Sequence, residues 1–273
     1  LLGQEKVITV NLLLLAETVM KFIIGIVAIK IGGNIPLLIV ANAIPPFLTT
    51  LFIIPMIKFK KKKDTEVKNN WKEFLLMTIS FLLLTMPFTI DLVLVNSTFR
   101  AEYSSLSLLG KIVYFACVTT SAVLFARLSN ESSFTKQKKS LFLSILLSLF
   151  IGLFLSLIYF FLGEKIISLS VGDSYLKINT YLGMFGLCMT GYSIVYMVAN
   201  FFIARGTYSY IWVLLSASIL QITLFSTRNN YLNEVVQNQG ILYTFLTLST
   251  ILFLLFNFKR NRNEENKSSG KLK

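Results

Sequence analysis

The sequence has no histidine and only two cysteines, Cys117 and Cys188, each inside an apolar run. Those absences leave no basis for a zinc site or a disulfide framework. There is no P-loop and no Gly-x-Gly-x-x-Gly turn, and no nucleophile stands beside a base. Charge is scarce: 14% of the 273 residues are Asp, Glu, Lys or Arg. The longest break between apolar runs, from Lys58 to Glu73, is too short for a soluble catalytic lobe. An enzyme is therefore disfavoured, and nothing asks for a cofactor or a metal. No internal repeat is legible.

What is abundant is apolar sequence. Apolar residues make up 55% of the chain, the mean hydropathy is +0.70, and Leu, Ile and Phe recur in runs of about 20 residues, enough to cross a hydrocarbon core as helix. Only a bundle of spanning helices satisfies so much apolar backbone in lipid without strand pairing. The runs predict an all-α, polytopic transmembrane helix bundle of about eight spans: 9–31, 36–57, 74–95, 107–127, 141–162, 178–203, 208–226 and 238–257. The second span carries Pro36, Pro45, Pro46 and Pro55. Proline removes a backbone donor and crowds the preceding turn, so this helix is expected to kink or break near its middle.

A net charge of +13 raises the question of nucleic acid, but the basic residues lie in short loops and a tail, not on a folded face. Most of them fall in alternate loops: Lys6, the cluster from Lys58 to Lys72, Arg127 with Lys136, Lys138 and Lys139, then Arg205, then the tail from Lys259. The intervening loops hold Lys30, Arg100, Lys111, Lys165, Lys177 and Arg228. This positive-inside bias predicts a cell-membrane protein with both termini in the cytoplasm. The string from Phe59 to Trp71 reads either as a linker between lobes or as an ordinary stop-transfer loop. The polar tail, 258–273, reads as disordered and able to touch anionic lipid. The chain begins with Leu and has no signal-peptide pattern over 9–31, so it is expected to be N-terminally truncated.

Polar groups inside spans are costly and therefore informative. Glu17 and Lys21 stand four apart on one helical face, as a pathway pair or a structural ion pair. Asp91, after Pro87, is placed to take a proton or cation, to pair with Arg100 or Lys111, or to touch interfacial water. Asn11, Asn42, Asn200 and Gln221 suit hydrogen bonds between helices. Arg127 and Arg205 close spans where snorkelling to phosphate is the ordinary role. Tyr103, Tyr114, Tyr181, Tyr192 and Tyr196 suit stacking on sugars, but also belts and cores. Gly183, Gly186 and Gly191 suit close helix contact.

Three strings together resemble the oligosaccharide flippase branch of the multidrug/oligosaccharidyl-lipid/polysaccharide exporter superfamily, the Wzx-type polysaccharide biosynthesis proteins. The opening LLGQEKVITVNLLLLAETVMKFIIGIVAIKIGGNIPLLIV is similar to that family's Gly-Gln turn, acid-bearing helix and following helix. IDLVLVNSTFRAEYSSLSLLGKIVYFACVTTSAVLFARLS resembles the segment that opens its second lobe. VGDSYLKINTYLGMFGLCMTGYSIVYMVANFFIARGTYSY resembles a later turn and long helix that closes in an Arg-Gly hinge. On that pattern, 1–57 holds the last two helices of a first lobe, 58–73 is a basic cytoplasmic linker and 74–257 is a whole six-helix second lobe. Arg100-Ala101-Glu102-Tyr103 departs from the family's usual Ala-Gly before the tyrosine.

The resemblance implies export, for lipopolysaccharide, O-antigen or capsule, of an undecaprenyl-diphosphate-linked oligosaccharide from the inner to the outer leaflet. It implies Lys21, Arg100, Lys111 and Asn200 along the substrate path, Glu17 and Asp91 in coupling to proton or sodium, and Pro45 with Pro46 as a hinge. Implied partners are the lipid-linked oligosaccharide, membrane lipids and glycan assembly proteins, without nucleic acid. The alternatives are a cation-coupled drug antiporter of the same superfamily, a membrane glycan polymerase or ligase, and a non-transporting scaffold of a glycan assembly complex.

Overall fold

The computed structural model describes residues 7–32, 35–53, 71–130 and 134–269. Among the described residues all regular structure is helical, with no strand. The chain divides into two compact units, Leu1–Lys68 and Asn69–Lys273.

In the first unit, α1 (Val7–Ile31) packs against α2 (Ile35–Ile53). Of the expected kink or break in α2, the break is not there: the helix runs through Pro45 and Pro46 without interruption. Missing donors are tolerated in apolar helices when local groups rearrange around them. In the next turn the Thr49 hydroxyl approaches the carbonyls of Pro45 and Pro46 at 3.1 and 3.0 Å, and Thr50 donates to Pro46 at 2.7 Å.

The second unit comprises α3 (Trp71–Thr89), α4 (Asp91–Leu94), α5 (Arg100–Asn130), α6 (Phe134–Ser170), α7 (Asn179–Ala204), α8 (Ile211–Thr227) and α9 (Leu232–Ser269). Over their described residues the eight apolar runs fall on long helices, except that the third is divided between α3 and α4. Pro87 withdraws one bond from the ladder, and the helix stops at Thr89 and resumes at Asp91. Ile90 between them keeps right-handed dihedrals (φ −75°, ψ −21°), so the interruption loosens the helix rather than turning the chain. Farther on, α7 ends at Gly206 (φ +68°), where Gly206 N–H bonds Ile203 O and Thr207 N–H bonds Phe202 O. That closure needs a left-handed residue, which only glycine supplies cheaply.

Packing puts α7 at the centre, against α5, α6 and α9, with α8 bridging α3 and α9. Of the apolar stretch that includes α7, 72% is buried, against 17% for α3 and 33% for α8. The outer helices are inside out by the standard of a soluble protein: Phe142, Phe150, Phe161 and Trp212 face outward, while Asp91, Ser107, Ser148, Asn238 and Gln239 are buried. That inversion is what a lipid solvent demands. α3, α6, α7, α8 and α9 lie in helical stretches long and apolar enough to cross a membrane; α1 and α2 contain shorter apolar segments, Val19–Ala28 and Ala43–Phe52. The chain is an all-α bundle of membrane type.

The expected disordered tail is also revised, because α9 continues to Ser269. Elongating an existing helix costs far less than nucleating one, and the Lys, Arg, Asn and Glu of this stretch do not forbid it. The opening Gly3-Gln4, the basic stretch 54–70 with Pro55, and the side chains of Asn11, Pro36, Asn42 and Arg127 lie outside the described residues.

Candidate functional site

The densest intramembrane polar cluster forms where α3 gives way to α4. Asp91 begins α4 and is wholly buried. Across from it, Tyr103, Ser107 and Lys111 repeat every fourth residue of α5, the spacing that stacks side chains on one helical face. Asp91 Oδ2 accepts hydrogen bonds from the Tyr103 hydroxyl at 2.9 Å and the Ser107 hydroxyl at 3.3 Å. Its Oδ1 accepts from Leu92 N–H at 2.9 Å and lies 3.7 Å from Lys111 Nζ. The last separation is longer than a charge-assisted hydrogen bond, so the pair attracts by charge without a tight bridge. Lys111 also lies 4.6 Å from the centroid of the Phe88 ring, a cation–π contact that holds the ammonium between ring and carboxylate. A buried carboxylate survives because each oxygen finds partners and a cation stands near.

One turn before Asp91, the Pro87 carbonyl collects side chains from two other helices. It accepts from Gln239 Nε2 at 2.9 Å, Tyr243 OH at 3.3 Å and Gln221 Nε2 at 3.3 Å. Tyr192 donates to the Leu84 carbonyl, so the stretch of α3 before the interruption is held by side chains of α7, α8 and α9. The amide oxygen of Gln239, Oε1, is buried and, among the described residues, has no hydrogen-bond donor. Aromatic rings line the same region: Phe88 stacks with Tyr192 at 5.8 Å and meets Tyr114 at 4.5 Å, and Tyr192 meets Tyr243 at 5.1 Å.

The residues singled out from sequence are therefore sorted by the fold. Asp91 and Lys111 are brought together. Arg100 is not part of that pair; its guanidinium donates to the Val95 carbonyl at 3.1 Å and closes the end of α4. Asn200 is buried on α7 and donates to its own helix, at the Tyr196 carbonyl, 2.9 Å. Gln221 does bridge helices, through Pro87. In the first unit, Lys21 Nζ lies 2.6 Å from Glu17 Oε1, and the Thr49 hydroxyl approaches Glu17 Oε2 at 3.2 Å. Pro45 and Pro46 sit inside an unbroken helix, and the interrupted helix is the one with Pro87.

Ser107, Phe88, Gln239 and Tyr243 were not singled out by sequence. A signal existed: Ser107 and Lys111 continue a polar stripe from Tyr103, and Gln239 and Tyr243 share the same four-residue spacing. Among the described residues no group of three His, Cys, Asp or Glu side chains stands together for a metal. The chemistry available is a buried acid and a half-buried cation within charge reach, hydroxyls to relay or donate, and rings beside them. Farther along, α7 and α9 flank an apolar groove of about 770 Å³ that includes Tyr181, Cys188, Gln237 and Thr244. Comparison with family models, curated proteins and solved structures finds no match to this chain.

Proposed function

We propose that the chain belongs to a membrane transporter that turns a lipid-linked oligosaccharide, carried on undecaprenyl diphosphate, from the inner to the outer leaflet, without covalent chemistry of its own. The observation that carries the reading is the Asp91–Lys111 pair, its acid buried inside an apolar bundle and its half-buried cation bordered by Phe88 with Tyr114 and Tyr192 beside that ring. A diphosphate crossing a bilayer needs a cation inside the protein, sugars need hydroxyl and ring surfaces, and the prenyl chain needs an apolar path such as the α7–α9 groove. Asp91 holds Lys111 compensated while substrate is absent, and protonation or a sodium ion at Asp91 would release it. The alternating loop charge supports placement in the cell membrane with both ends in the cytoplasm.

The test is leaflet transfer of a fluorescent undecaprenyl-diphosphate oligosaccharide by full-length protein in vesicles. Loss of charge must be separated from loss of fold, so the informative variant is Asp91→Leu with Lys111→Met, which removes both charges together. Transfer should fall by about tenfold or more in that variant at equal folded protein, and Lys111→Arg should retain it. Wild-type transfer by the uncharged double variant would overturn the reading. The same buried carboxylate also suits cation-coupled drug export; gradient-driven uptake of a cationic dye, with no movement of the sugar lipid, would favour that second reading.

A further inference from the structure

A second basic feature lies away from the Asp91 cluster, where the start of α6 meets the late part of α9. Thr135, Lys138, Lys139, Phe142 and Ile145 follow helical spacing along one side of α6, and Leu254 and Phe258 face them from α9. Between the two helices is a groove of about 330 Å³, with Leu141 completing its wall. Its mouth carries two lysines and a threonine hydroxyl, and its length is apolar. Lys138 Nζ is 4.5 Å from the Phe258 ring centroid, which fixes one ammonium at the rim.

Among the described residues, ion pairs join Lys21 to Glu17 and Lys111 to Asp91, and neither Lys138 nor Lys139 has one. The first turn of α6 has no acid, and the positive end of the helix dipole adds to Lys136, Lys138 and Lys139 rather than opposing them. Three cations at a helix start are self-repelling unless an anion joins them. The polar stretch 135–140 gives way at Leu141 to continuous apolar sequence, so the lysines stand at the level where a bilayer's headgroups meet its chains.

We infer that this groove is a binding site for an anionic phospholipid of the surrounding bilayer, its phosphate held by Lys138, Lys139 and Thr135 and one acyl chain laid between Phe142, Ile145 and Leu254. The inference requires only a chain embedded in a membrane and stands whether or not the proposed transport reading holds. A volume at the low end of ligand pockets admits a head and the start of a chain, not a whole sugar lipid.

The test is native mass spectrometry of the full chain released from micelles doped with equal phosphatidylglycerol and phosphatidylcholine. Wild type should keep phosphatidylglycerol preferentially, and Lys138→Ala with Lys139→Ala should lower that preference by about tenfold. A charge-matched control, Lys165→Ala with Lys177→Ala, should leave it within about twofold. Ile145→Trp, which fills the groove and spares both lysines, should lower it as well, since the chain can no longer enter. Millimolar inorganic phosphate should not displace the lipid. Unchanged preference in the double lysine variant, equal loss in the control, full retention in Ile145→Trp, or displacement by inorganic phosphate would each overturn the site.

Discussion

Two ion pairs among the described residues are built on opposite plans. Glu17 and Lys21 belong to one helix, at a spacing that makes them neighbours wherever the helix forms, and their side chains keep 18% and 38% of their exposure. Asp91 and Lys111 belong to different helices; Asp91 is fully buried and Lys111 is 14% exposed. A local pair neutralises itself and asks little of the fold. A long-range pair exists only if α4 and α5 pack in register, and each member is a liability without the other. The second unit has thus tied a costly charge to its tertiary structure, and the first has not.

The largest effect should come from separating the buried pair. Lys111→Met should lower unfolding stability by about 3–5 kcal/mol, because Asp91 is left buried without its cation, and adding Asp91→Leu should restore most of the loss. Lys21→Met should cost less, because Glu17 is only half-buried and keeps the Thr49 hydroxyl at 3.2 Å. Both are read from denaturation in micelles followed by circular dichroism; equal costs for Lys111→Met and Lys21→Met would abolish the distinction.

Packing should show the same contrast at smaller size. A Cβ on Gly110 would run into the Phe185 ring, whereas one on Gly25 meets nothing within 4 Å. Gly110→Ala should therefore destabilise by about 1–3 kcal/mol. Gly25→Ala should be neutral, or should raise helix stability by about 0.5 kcal/mol. Thermal midpoints of the two variants, measured side by side, check this. A similarly small effect is expected of Tyr243→Phe, about 0.6 kcal/mol, because Gln239 and Gln221 still serve the Pro87 carbonyl. A loss of several kcal/mol would mean that Tyr243 carries the α3 interruption alone.

Much of the helix layout was legible because hydropathy and span length are local quantities. Apolar runs of bilayer length became helices, and the Glu17–Lys21 pair was visible from spacing alone. Pro45 and Pro46 suggest a kink or a break; α2 is not broken there, and the interruption follows Pro87 instead. A missing donor weakens a helix wherever it occurs, but only packing decides whether the neighbours stabilise the loosened form, and at Pro87 the side chains of Gln221, Gln239 and Tyr243 are there to do so. Arg100 was an equal candidate to Lys111 for Asp91, since both follow it on α5. Its position at the helix start lets the guanidinium reach Val95 O instead. Composition suggests a disordered tail because it describes isolated segments, whereas this one continues a formed helix as far as Ser269.

By itself, the sequence determined that this chain is helical and built for lipid, because each residue's hydropathy acts on the solvent it can tolerate and needs no partner. It also determined the Glu17–Lys21 pair, since one helical turn supplies the geometry. Only the tertiary structure decided that Asp91 meets Lys111, Tyr103 and Ser107, that α7 is the buried axis, and that the Pro87 carbonyl gathers α8 and α9. The pairing of distant polar groups depends on which helix faces pack together, and the cost of burying them singly makes that packing and the site one problem.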